Sequence, residues 1–134
     1  MPDNSANVIH VNETNPIADT TVNPCNGEVI NFTGSVHVQG TGVFAPSGRF
    51  NGNIHNNISI TGKGDMGNIY RGSETYNNFL NLVPGAITNE THTVRMISKG
   101  SAPNFTMTQI FHITINPDGT VTVVVQQGQS KCVG

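Results

Sequence analysis

Residues 104–116 read NFTMTQIFHITIN, and the alternation within this stretch decides the fold. Phe105, Met107, Phe111, Ile113 and Ile115 fall on one parity; Thr106, Thr108, His112 and Thr114 fall on the other, with Ile110. A period of two places these sets on opposite faces of a strand, one packed and one wet. The PDG at residues 117–119 is a hairpin signal, and TVTVVVQQ at 120–127 supplies the partner strand.

The same rhythm extends upstream. Residues 28–44 place Ile30, Phe32, Val36, Val38 and Phe44 on one face, with Gly34, Gly40 and Gly42 beside them, where glycine permits sharp bending or close packing. APSGR (45–49) reads as a turn. Residues 50–61 split into Phe50, Ile54, Ile58 and Ile60 against Asn51, Asn53, His55, Asn57, Ser59 and Thr61. GKGDMG (62–67) is a loop. Residues 68–83 and 89–99 form two further strands separated by PGAIT, and KGSAPN (99–104) leads into the opening stretch. A strand near residues 6–13 has the weakest pattern. Helical periodicity is missing throughout. The expectation is an all-β domain of about seven or eight strands joined by short turns, an antiparallel up-and-down β-barrel, with a two-sheet sandwich as the alternative. Residues 25–134 form the β domain, and residues 1–24 an N-terminal segment able to supply a first or an exchanged strand.

A chain of 134 residues is one domain by size and can bury a proper core. Charged residues are only 10%, the net charge is -2, and the six Lys and Arg are spread along the chain. That pattern disfavours nucleic acid as a partner. The longest apolar run, Val123 to Val125, is far short of the ~20 residues of a spanning helix. Residues 1–20 lack the apolar centre of a signal peptide, so export implies that a leader has been removed and that Met1 is an added start. No cofactor motif appears: TGKGD lacks the helix that a phosphate loop requires. Sequons at Asn12, Asn31, Asn57, Asn89 and Asn104 indicate surface-compatible positions only.

Cys25 lies in a turn before a long strand, and Cys132 lies beyond the last one. Neither has a histidine at metal-ligand spacing. A meander brings these regions together, so the expectation is a disulfide closing a loop of more than a hundred residues, contributing roughly 4 to 5 kcal/mol by chain entropy. Two unpaired buried thiols are the alternative. His37, His55 and His112 sit on the polar parity of three strands and read as surface histidines, with no metal site expected. Four polar residues fall instead on apolar parities: Tyr70, Glu74, His92 and Gln109. A buried carboxylate needs a partner or a cavity. These four are the candidate ligand-binding residues of a barrel interior. A satisfied internal network, or a bulge altering the parity between residues 70 and 80, is the plainer explanation of them.

Three motifs together carry a resemblance. Pro24, Cys25, Gly27 and Glu28 form a Pro-Cys-x-Gly-Glu turn. Gly34 and His37 form a Gly-x-x-His strand. Phe111, His112, Thr114 and Asn116 form a Phe-His-x-Thr-x-Asn strand before a late cysteine. Over roughly residues 20–132 the chain resembles a group of small exported bacterial all-β proteins of uncharacterised function, and more loosely lipocalin and allene-oxide-cyclase-type barrels. The resemblance implies export, a barrel or sandwich and a cysteine pair, and no activity. Three functions follow as expectations. The first is a secreted, non-enzymatic barrel, extracellular or on the cell surface, binding a small apolar or amphipathic ligand. The second is a cell-surface structural subunit that forms filaments by strand addition, with residues 6–13 pairing with another copy. The third is an isomerase- or cyclase-like enzyme using Glu74 and His92 as acid and base, with no catalytic residue otherwise assigned.

Overall fold

The computed structural model describes residues 7–83, 88–116 and 120–133. The turns expected at 84–87 and 117–119 lie outside the described residues. The chain forms seven strands: β1 (Asn7–Val22), β2 (Val29–Phe44), β3 (Phe50–Gly64), β4 (Ile69–Leu82), β5 (Thr88–Ser98), β6 (Phe105–Ile115) and β7 (Val121–Cys132). Each pairs antiparallel with its sequence neighbour, in the order β1 to β7. The up-and-down sheet curls through 245° as a half-barrel.

Alternation sets the register. Ile30, Phe32, Val36, Val38, Phe50, Ile54, Ile58, Ile60, Phe105, Met107, Phe111 and Ile113 all turn inward into one buried core. In β6 every second residue is buried from Phe105 to Ile115, as NFTMTQIFHITIN predicts. The glycines of β2 serve close packing: a Cβ on Gly42 would stand 2.1 Å from the Phe50 ring. The β3–β4 register is unbroken from Phe50↔Leu82 to Lys63↔Ile69, so Tyr70, Glu74 and Tyr76 keep their inward parity without a bulge. An irregularity falls instead between β6 and β7, at Met107/Gln109. β1 is longer than its pattern suggested and pairs with β2 from Asn7↔Phe44 to Val22↔Val29.

Two seams interrupt the sheet. β4 pairs with β5 only at Tyr70↔Ser98 and Arg71↔Ile97. β1 and β7 are the two edge strands. Both seams are joined at the end where β1 and β7 finish. There Cys25 and Cys132 form a disulfide with Cα atoms 5.1 Å apart, and the Thr21 and Ser130 hydroxyls lie 2.8 Å apart. The molecule therefore consists of a four-stranded and a three-stranded portion fastened at one end.

The disulfide spans 107 residues, so its loss opens the loop that holds β2 to β7. Replacing both cysteines by alanine should lower unfolding stability by about 4 to 5 kcal/mol on the chain-entropy model, read from denaturant unfolding extrapolated to water, with a larger m-value because the unfolded chain without the crosslink is more expanded.

Candidate functional site

The turn after β1 builds the first polar centre. The Cys25 amide donates to Asn23 Oδ1 at 2.9 Å, and Gly27, at φ 78°, closes the turn with its amide on the Asn23 carbonyl. This geometry drives Glu28, fully buried, under the β3–β4 loop. Its carboxylate accepts from the backbone amides of Met66 (3.0 Å) and Asn68 (3.3 Å), from Asn68 Nδ2 (2.9 Å) and from the Tyr70 hydroxyl (2.5 Å). Asn23 Nδ2 in turn donates to the Tyr70 oxygen and to the Pro103 carbonyl, both at 3.0 Å. A Cβ on Gly64 would lie 2.1 Å from the Glu28 carboxyl carbon, so only glycine leaves room for it. Burial pushes the Glu28 carboxyl up, but the hydrogen bonds from Tyr70, Asn68 and Met66 outweigh this and hold it below its ordinary value. Burial and the Glu28 contact push the Tyr70 phenol up.

The second centre lies deeper in the concave face. His92 stands opposite Gln109 in the β5–β6 register. Its ring packs edge-on against Phe111, with centroids 4.6 Å apart, and against Tyr76 at 3.8 Å. His92 Nε2 bonds Glu90 at 2.9 Å. Glu90 also accepts from Asn56 Nδ2 on β3 (3.1 Å) and Asn78 Nδ2 on β4 (2.7 Å), tying the two portions of the sheet together. Across the β4–β5 seam the Tyr76 hydroxyl donates to the Thr93 carbonyl at 2.9 Å and accepts from the Thr93 amide at 3.0 Å. It supplies the contacts that a pairing strand would make.

Beyond Gln109 the polar partners run out. Both amide atoms of Gln109 and of Gln127, its neighbour on β7, are buried without a partner, as are His92 Nδ1, Asn56 Oδ1 and Asn15 Nδ2. Such orphans are uncommon in folded proteins. Gln109 lines a slot of about 130 Å³ between β1 and β7, together with Pro16, Ile17, Ala18, Asp19, Val123 and Val125.

The four residues expected to share a cavity thus separate. His92 and Gln109 come together, Tyr70 belongs to the Glu28 network, and Glu74 is half-buried beside the β4–β5 seam. No hydrogen bond joins Glu74 to His92 among the described residues; the partner of His92 is Glu90. Sequence reasoning placed Glu28 only in a turn motif and did not single out Glu90. Glu28 carried one usable signal, a carboxylate placed directly between a Gly turn and a strand. The outward histidines pair with amides of adjacent strands, His37 with Asn12 and His112 with Asn89, each at 2.5 Å, and His55 with Asn77. Among the described residues no three His, Cys, Asp or Glu gather as a metal site would require. No family model, curated protein or solved structure matches the chain.

The Glu28 network has a pH signature. A carboxyl held below its unfolded value stabilises the fold above that value and loses the contribution as pH falls through the folded pKa. A phenol held above its unfolded value stabilises below that value and loses the contribution as pH rises past it. The reference values are 4.5 and 10.0. The contribution of this pair to unfolding stability should therefore be constant between them, falling in acid and again in strong alkali. Tyr70→Phe removes one donor from the buried carboxylate and should cost about 1–3 kcal/mol near neutrality, with the alkaline limb reduced in a denaturant series against pH.

Proposed function

We propose that the chain is a non-enzymatic binding module of an oxidising, extracellular or cell-surface compartment, holding a small amphipathic ligand in the slot between β1 and β7. The observation that carries this reading is Gln109, a buried amide without a partner that stands opposite the equally unpartnered Gln127, lining one slot with the apolar side chains of Ile17, Val123 and Val125. A ligand with an amide, hydroxyl or carboxyl head and a short alkyl tail supplies what each lacks. Burying an amide without a partner costs stability, and sites shaped for binding carry such costs. The disulfide supports the compartment, and so does the resemblance to exported bacterial β proteins. An isomerase- or cyclase-like reaction has less support, because the hydrogen-bond partner of His92 is Glu90 and not Glu74.

A second reading, assembly by strand addition, is favoured by β7. Each strand is antiparallel to the next, so β1 and β7 run in the same direction and cannot close as an antiparallel pair. One added strand, antiparallel to both, would complete the barrel. β1 carries the usual guards of an edge, Pro16 with Glu13 and Asp19. β7 has neither charge nor proline from Val121 to Ser130, and Val124 is 57% exposed. Of residues 6–13, expected to pair with another copy, the described residues 7–13 pair with β2 of their own chain. The acceptor edge in this reading is therefore β7, and the added strand is a segment of a second copy.

Two measurements separate the readings. Hexanamide titrated into labelled protein should shift the side-chain amide resonances of Gln109 and Gln127. Gln109→Leu should abolish that response while raising unfolding stability by about 1 kcal/mol. A destabilised Gln109→Leu, or amide signals indifferent to the probe, rejects ligand binding at the slot. Strand addition instead predicts concentration-dependent oligomers in sedimentation that Val124→Lys disperses.

A further inference from the structure

The cations spread along the sequence are not spread in space. Arg71 of β4 stands opposite Ile97 of β5 at the last pair before the seam opens. Arg95 and Lys99 flank Ile97 two residues to either side, so they are the diagonal neighbours of Arg71 on the outer face. These three are half of the six Lys and Arg in the chain. They line one cleft of about 380 Å³ together with Ser73, Glu74, Ile97 and Ser98. Among the described residues the ion pair present is His92–Glu90, and none of the three cations has a side-chain partner.

We propose that this cleft is a binding site for a dianionic phosphate group. Three cations and the Glu74 carboxylate leave a local charge of about +2 (three minus one), on a chain whose net charge is -2. Like charges gathered on neighbouring strands destabilise the sheet unless an anion lies between them. Guanidinium groups supply the forked donors that phosphate oxygens accept in pairs. The Ser73 and Ser98 hydroxyls add donors. The backbone past Arg71 and Ile97, unpaired across the seam, adds amides of the kind that cradle oxyanions. Ile97, 49% exposed, offers an apolar platform for the organic part of a phosphomonoester. The site is separate from the slot between β1 and β7 and does not depend on that proposal.

Phenyl phosphate and inorganic phosphate, titrated separately at low ionic strength and followed by amide shifts, form the test. Saturable shifts confined to Arg71, Ser73, Arg95, Ile97, Ser98 and Lys99 are expected, weakening as salt is added. The double variant Arg71→Gln, Arg95→Gln should bind at least about tenfold more weakly, with a thermal midpoint that is not lowered, because both side chains are exposed and their mutual repulsion is lost. Tighter binding of phenyl phosphate supports an organic ester resting on Ile97; equal binding supports free phosphate as the ligand. Shifts that do not saturate at millimolar probe, or that persist unchanged in the double variant, overturn the proposal.

Discussion

The buried carboxylate of Glu28 is the constraint on which the rest of the structure depends. A carboxylate with no exposed surface is tolerated only when its oxygens are filled with donors. Those donors come from the β3–β4 loop and from Tyr70. Filling them draws the turn after β1 against the start of β4. Through Asn23 it also reaches Pro103, ahead of β6. The disulfide then ties that turn to the end of β7. One end of the half-barrel is thus sealed by polar contacts and a covalent link together.

Sealing one end explains the asymmetry of the other features. The short β4–β5 pairing and the contact of β1 with β7 both lie near the fastened end. Away from it, the four-stranded and three-stranded portions meet through side chains: Glu90 to Asn56 and Asn78, and Tyr76 to the Thr93 backbone. Side-chain bridges occupy less of a seam than a continuous ladder and leave clefts beside them. Both candidate sites follow from this arrangement. The slot is the seam between the edge strands, and the cationic cleft is the seam between β4 and β5.

The strands were legible because alternation is a local property. Phe105 to Ile115 announces its buried face in its own order of residues, and β3 does so from Phe50 to Ile60. The sites were legible only in part. Parity alone placed Tyr70, Glu74, His92 and Gln109 inward, and all four are buried or half-buried. Parity could not separate them, because it is blind to position around the curl and to the distance from the sealed end. Glu28 was legible only as part of a turn motif, because its donors lie some forty residues away (Tyr70 at a separation of 42). Arg71, Arg95 and Lys99 read as scattered charges until the register set Arg71 against Ile97. Long-range register is a product of turn geometry and of the packing of the entire sheet, and no short window of sequence contains it.

The account rests on a sheet fastened at one end and unpaired along its seams, and residue-resolved amide hydrogen exchange tests it most directly. Amides of Ile30, Tyr70 and Phe105, next to the Glu28 network and the disulfide, should exchange only by global unfolding. The outward amides of β7 between Val121 and Gly128, and those of β4 between Ser73 and Asn81 that face β5, should exchange orders of magnitude faster. Uniform slow exchange across both seams would contradict the account, because it would require a closed barrel with every strand edge paired.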